Sequence, residues 1–288
     1  MTSQKPIAVG TNDSAQSQAA VLWAAHRAHR AGLPLVVLHV VDDRWVAEPY
    51  PWFGTLQQAG EELLKTAAGR LEGAVPITPA TELLTGSVGG SLAKYSKRTS
   101  MMVIGSGSGH LGGTLADRAL QVATAAKVPV AVVGTQDLEG RSGVVVGVDG
   151  SPEATQAVAF AAAEADRDGD ELTVVYAVSV PDPIIDVGLT PGRISELVVD
   201  EERVVLSETV AGLKEDYPDL TVHQQLVTDK GAVDALVEAA AGARLLVVGS
   251  RGRGAFKRLL LGSTAHGVLK HLPCPTIITR TQAAAAGI

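Results

Sequence analysis

Short apolar runs alternate with alanine-rich stretches of helical period along the whole chain. Ile7-Ala8-Val9, Leu35 to Val41, Met101 to Ile104 and Val130 to Val133 are runs rich in β-branched or long apolar side chains. Their length suits strands buried on both faces. Between them, Ala15 to Ala31 places small apolar residues at helical spacing, as do the later polar-apolar stretches. The same order returns in the second half. Ile7 to Ser14 matches Val144 to Ser151, with Gly10 facing Gly147 and Ser14 facing Ser151. Leu35 to Val41 matches Leu172 to Val178, Ser100 to Ser106 matches Arg244 to Ser250, and Val128 to Val133 matches Cys274 to Thr279. A chain that repeats β-α-β-α-β-α-β-α-β folds as two parallel, doubly wound sheets with right-handed crossovers. The expected domains are residues 1–137 and 142–288, joined by the polar linker Thr135 to Gly143.

Local signals agree with this division. Ser151-Pro152 reads as an N-cap followed by proline at the first helical position, and Gly169 stands where a C-cap glycine belongs. Asp42 to Gly60 and Pro181 to Arg193 read as long irregular segments. The first of them holds Trp45, Tyr50, Trp52 and Phe53, four of the ten aromatics. A surface loop pinned by its aromatics is the plain reading, and a lid or partner surface the sharper one.

Composition narrows the class of function. The 288 residues carry a formal net charge of −7, which argues against a general nucleic-acid binder. No uncharged apolar run reaches the ~18 residues of a membrane helix, and a strand pattern begins by Ile7, without a leader signal before it. Cys274 is the single cysteine, so neither a disulfide framework nor a cysteine-based zinc site is expected. A cytoplasmic protein is the expectation.

One stretch reverses the overall charge. Leu245 to Ser263 runs from an apolar strand into a loop with Gly249, Gly252 and Gly254. It carries Arg251, Arg253, Lys257 and Arg258, has no acid, and ends at Gly262-Ser263 before a helix. Glycines let a backbone approach an anion, and the first amides of a helix are unpaired donors at the positive end of a dipole. In a parallel sheet, ligands sit beyond the carboxyl ends of the strands. In the second half those ends present Gly147, Val148, Asp149, Ala177, Thr228 to Gly231, and Val248 with Gly249. Asp149 is placed to accept hydrogen bonds from a ribose or an amine, and Ser263 and Thr264 to offer hydroxyls and amides to a phosphate. Taken singly these features are ambiguous. Ser263 reads equally as an ordinary N-cap, and the basic residues as a solvated face.

The spacing adds a resemblance. Gly249-x-x-Gly252, nine residues, then Gly262-Ser263 resembles the G-2x-G-9x-G-(S/T) signature of the universal stress protein family. Val146 to Ser151 looks like that family's first strand and Leu272 to Ile278 like its last. The resemblance covers nearly the whole chain, twice, as in tandem stress proteins. It implies two Rossmann-like domains of the adenine nucleotide α-hydrolase type, each a five-stranded parallel sheet of order 3-2-1-4-5. It implies an ATP site, with Mg²⁺, in the second half. Asp149 and the backbone of Ala177 would serve the nucleoside end. Gly249, Arg251, Gly252, Gly262, Ser263 and Thr264 would hold ribose and phosphates. It also implies that the final strands of the two halves pair within one chain, leaving further homodimerisation open. No GxxxxGK(S/T) motif is present, and Gly147 to Ser151 lacks the serine-glycine-glycine loop of relatives that activate substrates.

The first half departs from this pattern. Asn12 stands for Asp149, and Gly105-Ser106-Gly107-Ser108 stands for Gly249 to Gly252. Counted back from the final strand, Ala116-Asp117 replaces Gly262-Ser263. A second alignment puts Gly113-Thr114 there and makes Thr114 and Asp117 a capping box. Between Ser106 and Ala116 only His110 could carry positive charge. A carboxylate ~4 Å from a phosphate costs on the order of 4 kcal/mol at an effective dielectric near 20. Weak or absent ATP binding is expected there, with the segment around Trp52 able to shut the cleft. Other features take plain readings: His26 and His29 a helix surface, Cys274 a small buried residue, Glu201-Glu202-Arg203 a solvated helix face. The expected function is a nucleotide-dependent stress sensor or regulator, not an enzyme beyond weak ATP hydrolysis. The alternatives are an ATP hydrolase or nucleotidyl transferase using Asp149, and an interaction module with structural or no nucleotide.

Overall fold

A computed structural model of the chain describes residues 4–43, 53–106, 114–178, 191–253 and 261–280, with the backbone alone over 114–118 and 191–197. Two compact units result. One comprises residues 1–137 with 275–288, the other residues 138–274.

The first unit is built from β1 (Ile7–Gly10), α1 (Ala15–Ala31), β2 (Leu35–Val41), α2 (Phe53–Gly69), β3 (Ala80–Thr85), α3 (Val88–Tyr95), β4 (Met101–Gly105), α4 (Thr114–Ala125) and β5 (Val130–Val133). Its parallel strands lie in the order β3-β2-β1-β4-β5, the expected 3-2-1-4-5. The second unit contains β6 (Val144–Val148), α5 (Pro152–Asp168), β7 (Leu172–Ala177), α6 (Pro191–Val210), α7 (Leu213–Asp216), β8 (Val222–Val227), α8 (Ala232–Ala239), β9 (Leu245–Gly249) and α9 (Ser263–His271). Its sheet runs β9-β6-β7-β8, all parallel, which is the 4-1-2-3 part of the same order.

The last strand, β10 (Thr276–Thr279), belongs to the first unit. It lies antiparallel to β5, with Ile277 opposite Ala131, and both strands are wholly buried. Just beyond it, the Arg280 guanidinium donates to the carbonyls of Ala123 and Thr124 and so caps the C-terminus of α4. The repeat in the sequence assigns β10 to the second half, whereas its packing assigns it to the first unit.

The central strands have no polar face because both sides are covered. Ile7, Ala8 and Val9, like Val144, Val145 and Val146, are fully buried or nearly so. The helices on them present alanine. Ala20, Ala24, Ala25 and Ala28 of α1 are wholly buried, and Ala157, Ala161, Ala162 and Ala165 repeat the pattern on α5. Small side chains let these helices lie close to the sheet, and the strand glycines are small for the same reason. A Cβ on Gly147 would come within 2.8 Å of Leu236, and one on Gly10 within 3.1 Å of Leu92. Both helices end as the sequence predicts. Ser14 and Ser151 accept from Ser17 and Ala154 amides at the N-termini, and Gly32 and Gly169 close the C-termini at φ 63° and 67°. The segment read as irregular to Gly60 is already helical from Phe53, because α2 packs on β2 and β3. Trp45, Tyr50, Trp52 and residues 181–190 lie outside the described residues.

Candidate functional site

The site of the second unit starts where β6 ends. Gly150, at φ 72°, turns the chain so that Ser151 can cap α5. The turn leaves Asp149 above the sheet, and its carboxylate bridges two segments. Oδ1 accepts from the Ser151 amide at 3.0 Å, and Oδ2 accepts from the Arg253 amide at 2.7 Å. Asp149 thus holds the glycine loop that follows β9. The loop must be glycine where it passes this carboxylate, since a Cβ on Gly252 would lie 2.1 Å from Oδ2. The far end of the loop returns through Gly262, whose amide donates to the Ser250 carbonyl at 2.8 Å.

Gly262, not Ser263, is the N-cap of α9, at φ −69° and ψ 156°, and no side chain caps it. Of the two readings the sequence allowed for Ser263, the helix start holds and the ordinary N-cap does not. Ser263 and Thr264 are the first two helical residues. The opening amides of α9 therefore remain donors.

These segments surround a cleft of about 400 Å³. Its walls include Gly147, Val148 and Asp149; Ala177; Val248, Gly249, Arg251 and Gly252; Gly262, Ser263 and Thr264, whereas Thr228 to Gly231, also expected at a strand end, do not line it. Ala154, Val175, Ala232, Leu236, Arg253 and Ala265 complete it. Ala232 and Leu236 were not foreseen. They belong to α8, and its amphipathic pattern marks a buried face without saying that the face also walls a cleft.

Two charges differ from expectation. Arg253 is not a spare phosphate cation, because its Nη1 donates to the Tyr176 hydroxyl at 3.0 Å and lies 3.6 Å from Glu202 Oε2. Nor is Glu202 part of a solvated face. It is 21% exposed and accepts from the Tyr176 hydroxyl at 2.5 Å, whereas Glu201 and Arg203 beside it are exposed. Burial, with the Glu202 carboxylate adding to it, pushes the Tyr176 hydroxyl up to about 12. Arg251 is exposed and forms no ion pair with another described residue. Lys257 and Arg258 lie outside the described residues.

The first unit repeats the architecture with other chemistry. Asn12 Oδ1 accepts from the Ser14 amide and hydroxyl at 3.2 and 2.7 Å, as Asp149 does from Ser151. Asp13 takes the place of Gly150 and keeps its left-handed conformation at φ 63°. Gln18, donating to the Asp13 carbonyl at 2.8 Å, and Arg70, paired with its carboxylate, hold it there. Arg70 also holds the Asp13 carboxyl below its ordinary value. A cleft of about 260 Å³ lies at the ends of β1, β2 and β4. Gly105 is needed beside it, as a Cβ would meet the Gln16 backbone at 2.7 Å. Helix α4 begins at Thr114, which matches Thr114 to Ser263 and places Asp117 further along the helix. The alignment of Asp117 with Ser263 is thereby corrected. The side chain of Asp117, with Gly107, Ser108 and His110, lies outside the described residues.

Among the described residues no group of three His, Cys, Asp or Glu could hold a metal ion. His26, on α1, is lowered by partial burial and by Arg30 and His29. Cys274 is fully buried, and that burial pushes its thiol up to about 12. No helix among the described residues is long and apolar enough to cross a membrane.

Known proteins are similar to this chain. The sequence profile described as "Universal stress protein family" matches residues 4–134 and 141–280. A universal stress protein of Mycobacterium tuberculosis strain H37Rv is 34% identical over 292 residues, covering 96% of this chain and 97% of its own. One from Mycolicibacterium smegmatis matches with the same identity and coverage. Among solved structures, a universal stress protein from Archaeoglobus fulgidus aligns over 96% of this chain and 97% of its own, at 21% identity and a TM-score of 0.67. A likeness at that identity speaks to the fold alone.

Proposed function

The chain belongs to the universal stress protein family, and on that premise we propose that it binds an adenine nucleotide, ATP with Mg²⁺, in the cleft of the second unit and acts as a nucleotide-dependent sensor or regulator. The observation that carries this reading is the opening of α9. Its first amides have no side-chain cap and face the same cleft as Arg251 and the Asp149 carboxylate. In this reading the α9 amides, Ser263, Thr264 and Arg251 hold phosphates. Gly249, Gly252 and Gly262 let the backbone come close. Asp149 and the Ala177 backbone address the nucleoside. Asp149 then exchanges the Arg253 amide for a ribose hydroxyl, so that binding re-seats the glycine loop.

A regulatory role fits the lining better than turnover does. The cleft holds one carboxylate, already bonded to two amides, and no histidine, cysteine or lysine among its described residues. We also propose that the two halves of one chain associate through their final strands, a reading supported by the antiparallel register of β10 on β5. Mass spectrometry of nucleotide co-purified with the full chain tests the main proposal. An adenine nucleotide should accompany the wild type and be lost from Gly252→Glu, whose side chain brings bulk and negative charge to the Asp149 carboxylate. Equal nucleotide in both proteins would sink the proposal. Turnover at ~1 s⁻¹ or more, lost on Asp149→Ala, would instead make the protein an enzyme.

A further inference from the structure

The two clefts lie at the same switch point of the same fold, so their differences isolate what each accepts. The second unit's cleft is about 400 Å³, and its described lining bears the Asp149 carboxylate with two guanidinium groups, that of Arg251 and that of Arg253, which Tyr176 and Glu202 hold. The first unit's is about 260 Å³, and its described lining bears the Asp42 carboxylate and no lysine or arginine. The sequence from Ser106 to Thr114 adds none. The described lining of the first cleft thus offers a phosphate no lysine or arginine, where the second offers Arg251.

The cleft has not been filled in. Gly10 and Gly105 remain at its floor, and Leu38, Val40, Leu92 and Ile104 make that floor apolar. One edge is polar and neutral. The Thr11 and Ser17 hydroxyls lie 3.1 Å apart, Asn12 replaces the acid, and the His39 ring donates from Nδ1 to the Thr11 carbonyl at 2.8 Å. That bond fixes the tautomer and leaves Nε2 an acceptor. Val40 stands on β2 where Ala177 stands on β7.

We infer that the first unit's cleft takes an uncharged purine nucleoside and rejects its phosphorylated forms. The apolar floor takes the base, and the neutral edge takes hydroxyl or amine groups. The choice of a purine rests on the reading of the second cleft as an adenine-nucleotide site, carried over by the repeat. One chain would thereby report on a nucleoside and a nucleotide together.

Calorimetric titration of the full chain carrying Gly252→Glu, with adenosine and with ATP, tests this. Adenosine should bind at one site per chain, and ATP at least a hundredfold more weakly. Adding Val40→Trp should abolish the adenosine signal, while Ala177→Trp should leave it unchanged. Should Val40→Trp fail to fold, Ser106→Arg is the second arm. That cation at the end of β4 should raise AMP affinity at least tenfold and leave adenosine within about twofold. No adenosine binding by the folded Gly252→Glu chain overturns the inference. So does adenosine lost with Ala177→Trp, or ATP binding as tight as adenosine that Val40→Trp removes. ATP binding that Ala177→Trp removes from the Gly252→Glu chain instead counts against that substitution as a block, and wild-type ATP binding indifferent to both counts against the second-unit reading.

Discussion

The Arg253 amide donates to Oδ2 of Asp149 at 2.7 Å, joining the end of β6 to the glycine loop across a wide gap in sequence. A hydrogen bond to a charged acceptor contributes about 1.5–3 kcal/mol, so the carboxylate is a strong tether of the loop. Asp149→Ala should release it. Hydrogen exchange of the Arg253 amide should quicken at least tenfold, while amides within β9 keep their protection. Unchanged exchange at Arg253 would mean that the loop holds itself.

The close pass of Gly252 makes a second prediction. Even a methyl group there meets the Asp149 carboxylate. Gly252→Ala should cost about 1–3 kcal/mol of second-unit stability and weaken ATP at least tenfold. Gly242→Ala, with nothing within 4 Å, is the matched control and should change neither. Denaturant melts and ATP titration of both variants decide it.

Tyr176 links Glu202 of α6 to Arg253 of the loop. Tyr176→Phe should cost about 1–3 kcal/mol, since it leaves a largely buried carboxylate short of a donor. The pH dependence has a definite sign. Burial raises the hydroxyl of Tyr176, and that of Tyr95 bonded to Glu82, to about 12, above the ordinary value of 10. The folded state therefore holds these protons more tightly than the unfolded chain. Their contribution is complete below pH 10 and is lost as pH rises from 10 towards 12. Phenolate absorbance should show both groups ionising late, and Tyr176→Phe should remove its share of the alkaline loss.

Gly147 and Leu236 offer a packing test. Gly147→Ala should destabilise the second unit by about 1–3 kcal/mol, because its Cβ would press on the Leu236 side chain. Leu236→Ala is costly alone, yet the double variant should cost less than the two single losses added together. Additive losses would show that the strand, not the leucine, yields.

What the sequence revealed and what it hid follow from the reach of its signals. The strands, alanine faces and caps of α1 and α5 are local patterns, and the repeat displays each of them twice. Asp149 and Gly262 were legible for the same reason, since they sit at a strand end and a helix start, whereas Gly252 lies within the loop and was marked by the spacing of the glycines. The Tyr176–Glu202–Arg253 chain had no such signal, because a polar contact between distant segments leaves no periodicity in any of them. The sequence left Ser263 open between a helix start and an N-cap, because serine is favoured at a cap; the glycine before it has the extended conformation a cap needs, so Ser263 starts the helix. The neighbour of β10 was suggested by the family resemblance and not by its own pattern. Its apolar run shows that it is buried and does not show beside which strand.

That placement also bears on biosynthesis. Val130 to Val133 leave the ribosome long before Thr276 to Thr279, the strand that lies along their free side. At ~5–20 residues per second, β5 would wait on the order of ten seconds or more with an apolar edge unpaired. Nascent chains halted between the halves should therefore aggregate or recruit chaperones, and release on completion of the last strand should rescue them.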